Sequence, residues 1–411
     1  MLLAQFLDRT GTGLWAASSV LFFTFVIGLD AGRLGLLLGA AALAGIAGSP
    51  LAGHAAGRFP VRSLLIGCHL LRLGTLGTLL VVTRFDVLLP VVAVTYLGDR
   101  AAKTLEMLFA TRAAGERRTT YQALSRSTAN AGYALGAGIA AAGLAVGTRE
   151  AYHALILANA LSFLAAAALV WRTREPRGHG RVAARTGDPA AAECRRDAPS
   201  PWRDRGYLRF VLLDIPMNLD DSILSIGLPL WLVDHTEAPH ALIPAFLVTN
   251  TVLVVVLQLR VSHKVQEPRQ AAAAVFLYGL TMLACCALLA ATTGAGAAAA
   301  SAGLLAAAVL VTVAELTRSV SSWELAVSLA PAEAKASYLG VAGMAQSIQK
   351  SAGPLLLTGA VMTAGPAGWL ALGAAVVALS AVQRRSALQR LDTLLVRRPA
   401  TAPDATRLHT P

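Results

Sequence analysis

Apolar residues in this 411-residue chain gather into long runs, with neither the two-residue alternation of a half-buried strand nor the narrow stripe of a surface helix. The runs lie near 6–29, 34–53, 63–82, 87–109, 121–146, 151–171, 207–233, 241–260, 271–292, 297–320, 336–362 and 366–383. Each is long enough to cross a hydrocarbon core of about 30 Å as a helix rising about 1.5 Å per residue. Helices are expected because a bilayer interior offers no partner to an unpaired backbone group, and the alternating signature of a membrane barrel is missing. The pattern predicts an all-α integral membrane protein of twelve transmembrane helices.

One stretch breaks the pattern in the middle. Between Arg172 and Arg209 there are ten arginines and five acids, and residues 173–200 contain Val182 as their only large aliphatic side chain. Such a segment lacks the apolar surface to offset its ordering entropy, which predicts a solvated linker. The expected organisation is a six-helix bundle over 1–171, a basic linker over 172–206, a second six-helix bundle over 207–383 and a basic tail over 384–411.

Composition agrees, with 55% hydrophobic and 14% charged residues. The formal net charge of +12 would suggest nucleic acid in a soluble protein, but its placement points elsewhere. Arg58 and Arg62 follow run two, Arg112, Arg117 and Arg118 follow run four, Arg260, Lys264 and Arg269 follow run eight, and Arg384, Arg385, Arg390, Arg397 and Arg398 follow run twelve. The alternate loops carry few cations. Cationic loops stay cytoplasmic, so a multi-pass plasma-membrane protein with both termini and the linker inside is expected. Asp8 and Arg9 interrupt run one early, which argues against a cleaved signal peptide. The cysteines Cys68, Cys194, Cys285 and Cys286 have neither disulfide-framework nor metal-ligand spacing.

The second half repeats the first in weak but ordered fashion. Asp99 corresponds to Glu315, Glu116 to Glu333, Tyr121 to Tyr338 and Gly136 to Gly353, and a basic turn with a proline follows both run two and run eight. Gly35 with Gly39, Gly132 with Gly136 and Gly138, and Gly143 with Gly147 are read as close-packing faces.

These features, with the segments LDRTGTGLW at 7–15, PLAGHAAGRFPVR at 50–62 and GLPLWLVDHTEAP at 227–239, resemble the major facilitator superfamily, particularly efflux members of actinobacterial type. The resemblance covers essentially the whole chain and implies two bundles that rock about a midplane site. It makes Gly53, Arg58 and Arg62 candidates for the conformational turn after span two, although Gly57 stands where the family has an acid and Pro60 where it has a glycine. The Gly-Pro pair of antiporters is absent from span five and occurs as Gly353-Pro354 in span eleven.

Ionisable groups near a bilayer centre cost about 2.5–3.5 kcal/mol each, so they face a cavity or one another. Asp99, Lys103 and Glu106 share one helical face, with Arg100 beside them. They either neutralise one another along the helix, or Asp99 and Arg100 face a central cavity where the carboxylate exchanges protons. Asp214, Asn218 and Asp221 form a second such face, with Asp220 nearby and no cation within a turn of them in the same run; Lys350 lies at matching depth and is the expected partner of Asp221. Glu315 either pairs with Arg318 or acts as a cavity acid equivalent to Asp99. Asn130, Asn250, Gln258, Gln346 and Gln349 are expected to make interhelical hydrogen bonds. Leu388, Leu391 and Leu395 suggest an amphipathic tail helix on the anionic inner leaflet.

The expected activity is proton-coupled efflux of a small amphipathic organic compound by a monomer. Asp99, Asp221 and Glu315 would carry protons; Arg100, Lys103 and Lys350 would tune them or meet an anionic group. The alternatives are uptake of a metabolite and a non-transporting relative. No catalytic residue, metal site, cofactor or nucleic-acid partner is expected, since no nucleophile–base, HExxH or phosphate-loop spacing occurs. The proton gradient is the expected driving force.

Overall fold

The computed structural model describes residues 1–114, 118–146, 148–173, 199–331 and 334–396. Twelve helical spans occur among them. The first six are α1 (Leu2–Leu21, extended by a π-helical turn Phe22–Val26), α2 (Ala31–Ala56), α3 (Val61–Leu79), α4 (Phe85–Ala114), α5 (Arg118–Val146) and α6 (Arg149–Arg172). The second six are α7 (205–235, in several segments), α8 (Ile243–Lys264), α9 (Pro268–Ala291), α10 (Ala297–Ser328), α11 (Lys335–Leu356, extended by a π-helical turn Leu357–Val361) and α12 (Gly365–Val396). Six helices (in α2, α6, α8, α9, α10 and α12) are apolar and long enough to cross a membrane by length and composition. Most of the others carry the charges discussed below.

Local chemistry sets the ends of these helices. The Asp30 and Thr148 side chains accept the Arg33 and Ala151 N–H groups at the starts of α2 and α6, and Glu267 with Gln270 forms a capping box at α9. Gly28, Gly294 and Gly365 adopt φ of 78°, 72° and 60° in the connections α1–α2, α9–α10 and α11–α12. A left-handed backbone is open to glycine without a Cβ penalty, so these connections stay short.

Span α7 is broken for a visible reason. Pro216 has no N–H to continue Arg205–Asp214, and the chain passes through the 3-10 turn Pro216–Asn218 before helix resumes at Leu219. The Asn218 side-chain amide donates to the Asp214 carbonyl at 2.6 Å, which satisfies a group left over by the break. A π-helical turn, Ile223–Gly227, follows.

The two groups of six pack in the same order. Within the first, α1 contacts α5 and α6, α2 contacts α4, and α3 contacts α4 and α6; within the second, α7 contacts α11 and α12, α8 contacts α10, and α9 contacts α10 and α12. Asp99 and Glu315 therefore sit on equivalent helices, as do Tyr121 and Tyr338. Glu116 and Glu333 lie outside the described residues, as do residues 174–198 of the linker with Cys194, and 397–411 of the tail.

The groups meet through α2 against α11 and α5 against α8. Contact is concentrated at the end of the molecule that bears Met1 and Val396, here called the terminal end. One apolar core is continuous there across both groups, from Ala52, Ala56 and Leu105 to Val211, Leu325 and Leu339. At the far end the first group keeps a separate core around Trp15, Phe22, Phe23, Leu76 and Phe163.

Glycine packing follows the same division. A Cβ on Gly136 would lie 2.0 Å from the Thr10 carbonyl oxygen, and one on Gly53 would lie 2.8 Å from Gly340 Cα, so α5 and α1, and α2 and α11, approach through absent side chains. Gly35, Gly39 and Gly138 have nothing within 4 Å of such a Cβ, which corrects their reading as packing faces; Gly35 and Gly39 lie toward the far end of α2.

The tail also differs from expectation. Helix α12 runs without interruption past Arg384 to Val396, and Leu388 and Leu391 pack onto the protein core, so these two leucines are not offered to a lipid surface. The linker's exit is tied down nearby. Asp204 caps α7 by accepting the Tyr207 N–H at 3.0 Å and receives Arg390 through Nη1 and Nη2 at 2.6 and 2.7 Å and the Tyr338 hydroxyl at 2.9 Å. Arg390 also donates to the Leu329 carbonyl. Burial would raise the Asp204 carboxyl, but these donors hold it at about 2.

Candidate functional site

Charged side chains at membrane depth fall into one buried network and several separate pairs. The network belongs to α1, α3 and α4. Arg72 donates to Asp8 at 2.5 Å, lies 3.3 Å from Asp99, and stacks its guanidinium 3.8 Å above the Phe163 ring. His69 stands 3.6 Å from Asp8, Lys103 2.8 Å from Asp99, and Arg9 donates to Glu106 at 2.8 Å. Asp8 and Arg72 are 1% and 3% exposed, whereas Lys103 and Asp99 reach 29% and 18%. The network thus begins in the core of the first group and ends at a surface between the groups. Cations and acids alternate along it, which offsets the desolvation that any one of them would suffer alone.

Expectation and structure part company at Glu106. Its partner is Arg9 of α1 rather than Lys103, because α1 crosses α4 at that level and supplies a closer guanidinium. Glu315 is likewise not paired with Arg318 of its own helix. It receives Arg126 of α5 and the Asn250 amide of α8, the latter at 2.6 Å, and the Arg126–Glu315 pair crosses from one group to the other. One turn along each helix Gln122 donates to the Ser319 carbonyl at 3.1 Å, so α5 and α10 are joined at two successive turns. Arg318 turns the other way, holding both oxygens of buried Asp220 at 2.7 and 3.1 Å and donating to Asn218 at 2.9 Å.

Lys350 lies 3.0 Å from Asp221, the cross-helix partnership anticipated from their matching depths. This pair is the most open of the set, at 36% and 50% exposure. Among the described residues Asp214 has no cation in contact; the Ser322 hydroxyl and the Gln383 amide donate to it at 2.7 and 3.2 Å. Gln349 donates to Ser222 at 2.7 Å and Gln258 to Ser319 at 3.4 Å, both between helices.

Arg100 is half-buried and stands apart from these partnerships. A Cβ on Gly45 or Gly48 of α2 would meet its Cγ at 3.5 Å or its Cβ at 3.0 Å, so its stem lies in a notch made by two glycines. One turn toward the terminal end, Thr104 closes on the other group: a Cβ on Gly343 of α11 would lie 2.9 Å from Ser49 Oγ and 3.3 Å from Thr104 Oγ1. Asp99, Arg100, Lys103, Tyr133, Asp221 and Lys350 are all partly exposed, and Tyr133 and Lys103 are in electrostatic range of Asp221 and Lys350 of the opposite group. They border one polar region between the groups.

The three turn candidates separate. Gly53 lies in the α2–α11 seam, Arg62 donates to the Trp171 carbonyl at the end of α6, and exposed Arg58 makes no ion pair among the described residues. Sequence reading missed Arg72, His69 and Arg126 altogether, and used Asp8 and Arg9 only to judge the first apolar run. A plain survey of every ionisable residue inside an apolar run would have found them. No cluster of three or more side chains suited to a metal ion occurs among the described residues.

A model described as Major Facilitator Superfamily matches residues 1–354. No curated protein matches the sequence. Among solved structures, a bacterial homologue of the iron transporter ferroportin in an outward-facing state is similar at 16% identity with a TM-score of 0.69, covering 95% of this chain and 98% of that one. The E. coli fucose:proton symporter is similar at 15% identity and a TM-score of 0.68, over 94% and 97%. A proton:xylose symporter is similar at 15% identity and 0.67, over 96% and 97%. At these identities the likeness concerns the fold.

Proposed function

Because the chain belongs to the major facilitator superfamily of transporters, and is not an enzyme, we propose that it is a monomeric, proton-coupled exporter of small amphipathic organic compounds. The observation that carries this reading is the set of partly exposed carboxylates, Asp99, Asp221 and Glu315, each held by a cation where the two groups of helices meet. A carboxylate so placed has two stable arrangements: ionised and paired, or protonated with its cation released. Protonation of Glu315 would free Arg126 and loosen the junction of α5 with α10. Protonation of Asp99 would release Lys103, while Arg72 keeps Asp8.

The arrangement suits alternating access. The halves close on each other at the terminal end through Gly53 and Gly343, and the polar region lies beyond that seam toward the far end. Lys and Arg in the terminal-end turns support a cytoplasmic terminal end in a plasma-membrane protein, and in that orientation the conformation is closed inward. Arg100, Lys103 and Lys350 then line the route, while Arg58 and Arg62 serve the turn between α2 and α3. Export is favoured over uptake by the likeness of the segments at 7–15, 50–62 and 227–239 to efflux members.

The test is Asp99→Asn in proteoliposomes, with substrate found by a thermal-shift screen of drugs and metabolites. Coupled efflux is lost while elution as a folded monomer is kept. Undiminished proton-driven efflux from Asp99→Asn overturns the proposal, and net proton-driven uptake in right-side-out vesicles assigns the chain to import instead.

A further inference from the structure

Among the described residues at mid-membrane depth, Arg100 is the cation without a carboxylate in contact. Its neighbours are spoken for: Lys103 by Asp99, Arg72 by Asp8 and Asp99, Arg126 by Glu315, and Lys350 by Asp221. A half-buried guanidinium is always charged and presents a planar fork of donors, so at this depth it needs an anion or water to meet it.

Its position relative to the seam is specific. Along α2 the residues Gly53, Ser49 and Gly45 succeed one another at one-turn spacing away from the terminal end. The first two touch α11, at Gly340 and Gly343, and the third carries the Arg100 stem. Arg100 is one turn beyond Thr104, the residue of α4 that closes against Gly343. It therefore lies, with Lys103, just above the floor of the space between the groups. On α11, Lys350 follows Gly343 by seven residues, about two turns or 10 Å, and so projects from the same side of its helix over the same floor. Half-exposed Asp221 holds Lys350 without burying it.

We propose that the transported solute is an organic anion, and that Arg100 receives its acidic group at the floor of this space while Lys350 of the opposite group closes on it. This rests on the transport reading above and names the chemical class that reading leaves open. Tyr133, exposed and within electrostatic range of Asp99 and Asp221, supplies apolar and aromatic contact for the rest of the molecule. Binding draws one cation from each group to a shared anion, which favours closure of the far end around the solute.

The experiment compares sets of compounds that share a skeleton and differ in charge: phenylalkanoates, the corresponding amides and the phenylalkylamines. Each set is titrated onto the purified full chain, following thermal unfolding. The acids raise the Tm of the wild type, Arg100→Gln weakens them about tenfold or more, as expected for loss of charge-assisted hydrogen bonds, and Arg100→Lys retains part of the effect. If Arg100→Gln fails to elute as a folded protein, Gly45→Leu, which fills the notch under the arginine stem, is expected to weaken the acids with the charge retained. Stabilisation by the amines or amides in preference to the acids, acids that act equally on wild type and Arg100→Gln, or no acid that binds, each overturns the assignment. Acids that bind at Arg100 but drive no proton movement in proteoliposomes sink the coupled-export reading and leave the anion site standing. Proton-coupled efflux of amines does the reverse.

Discussion

The two groups of helices carry similar numbers of buried charges and organise them in opposite ways. In the first, Asp8, Arg72, Asp99 and Lys103 form one connected chain through α1, α3 and α4, with Arg9 and Glu106 beside it. In the second, Asp220 with Arg318, Asp221 with Lys350, and Asp204 with Arg390 are separate pairs between different helices, and α7 is broken between the first and second thirds of its length. In a connected network the loss of one member is felt by its neighbours. Separate pairs can change one at a time. The contrast suggests a first group that serves as a platform and a second in which local rearrangement is possible.

The largest effect should come from Arg72→Met, which takes from Asp8 its hydrogen-bonded guanidinium and leaves Asp99 with Lys103 alone. Removing one partner of a buried pair costs about 3–5 kcal/mol, and a fall in Tm of the purified protein larger than that of Arg318→Met is the expected result. Arg318→Met strands Asp220 alone, which keeps the Tyr278 hydroxyl at 3.4 Å. Equal losses in the two variants would mean that connection between pairs adds nothing. Asp8→Asn placed on Arg72→Met should recover part of the loss.

Next is Glu315→Gln, which cuts the ion pair joining the groups. An ideal Cβ on Gly343 stands 3.1 Å from Ser49 Cβ, so Ser49→Cys with Gly343→Cys, in a background without the native cysteines, reports the closed seam by cross-linking. Loss of about 1.4 kcal/mol of junction energy corresponds to roughly a tenfold smaller closed-to-open ratio, read as slower cross-linking. An unchanged rate would leave the seam to apolar packing alone.

A smaller effect is expected at Asp221 and Lys350. Pairs this exposed contribute about 0–1 kcal/mol, so Asp221→Lys or Lys350→Asp should barely move the Tm while impairing transport. The double exchange should restore some transport. Failure to do so would show that the two residues act independently.

The smallest effect concerns pH at Asp204. Its carboxyl is held at about 2, below the ordinary aspartate value of 3.8, so the stabilisation is complete above that ordinary value and is lost as pH falls through about 2. Between about pH 5 and 8 the pair should contribute a constant amount. A difference between wild type and Asp204→Asn that grows or shrinks across that range would contradict the fixed character assigned to it.

Twelve helices and their order were legible because a run of about twenty apolar residues has one use in a bilayer. The Asp221–Lys350 partnership was legible from depth alone, since four lysines in the chain left few choices. The partners of Glu106 and Glu315 were not. Spacing along one helix reports neighbours on that helix, whereas Arg9 and Arg126 arrive from others, and which helices cross at a given depth depends on packing through Gly132, Gly136 and Gly53. Gly35 and Gly39 show the limit of such reasoning: the same spacing exists where no helix approaches. Arg100 was visible, but its lack of a carboxylate in contact among the described residues was not, because that becomes evident only when the other pairings are known.

Helix α12 has one further consequence, for the order in which the protein is made. Arg390, which joins the exit of the linker to α12, is separated from Asp204 by 186 residues of chain. A ribosome therefore delivers Asp204 and Tyr338 to the membrane well before their shared cation exists. Until the last turns of α12 emerge, the second group has its helices but lacks the arginine that binds their ends together. A nascent chain stopped before Arg390 leaves the start of α7 and the end of α10 without that common donor.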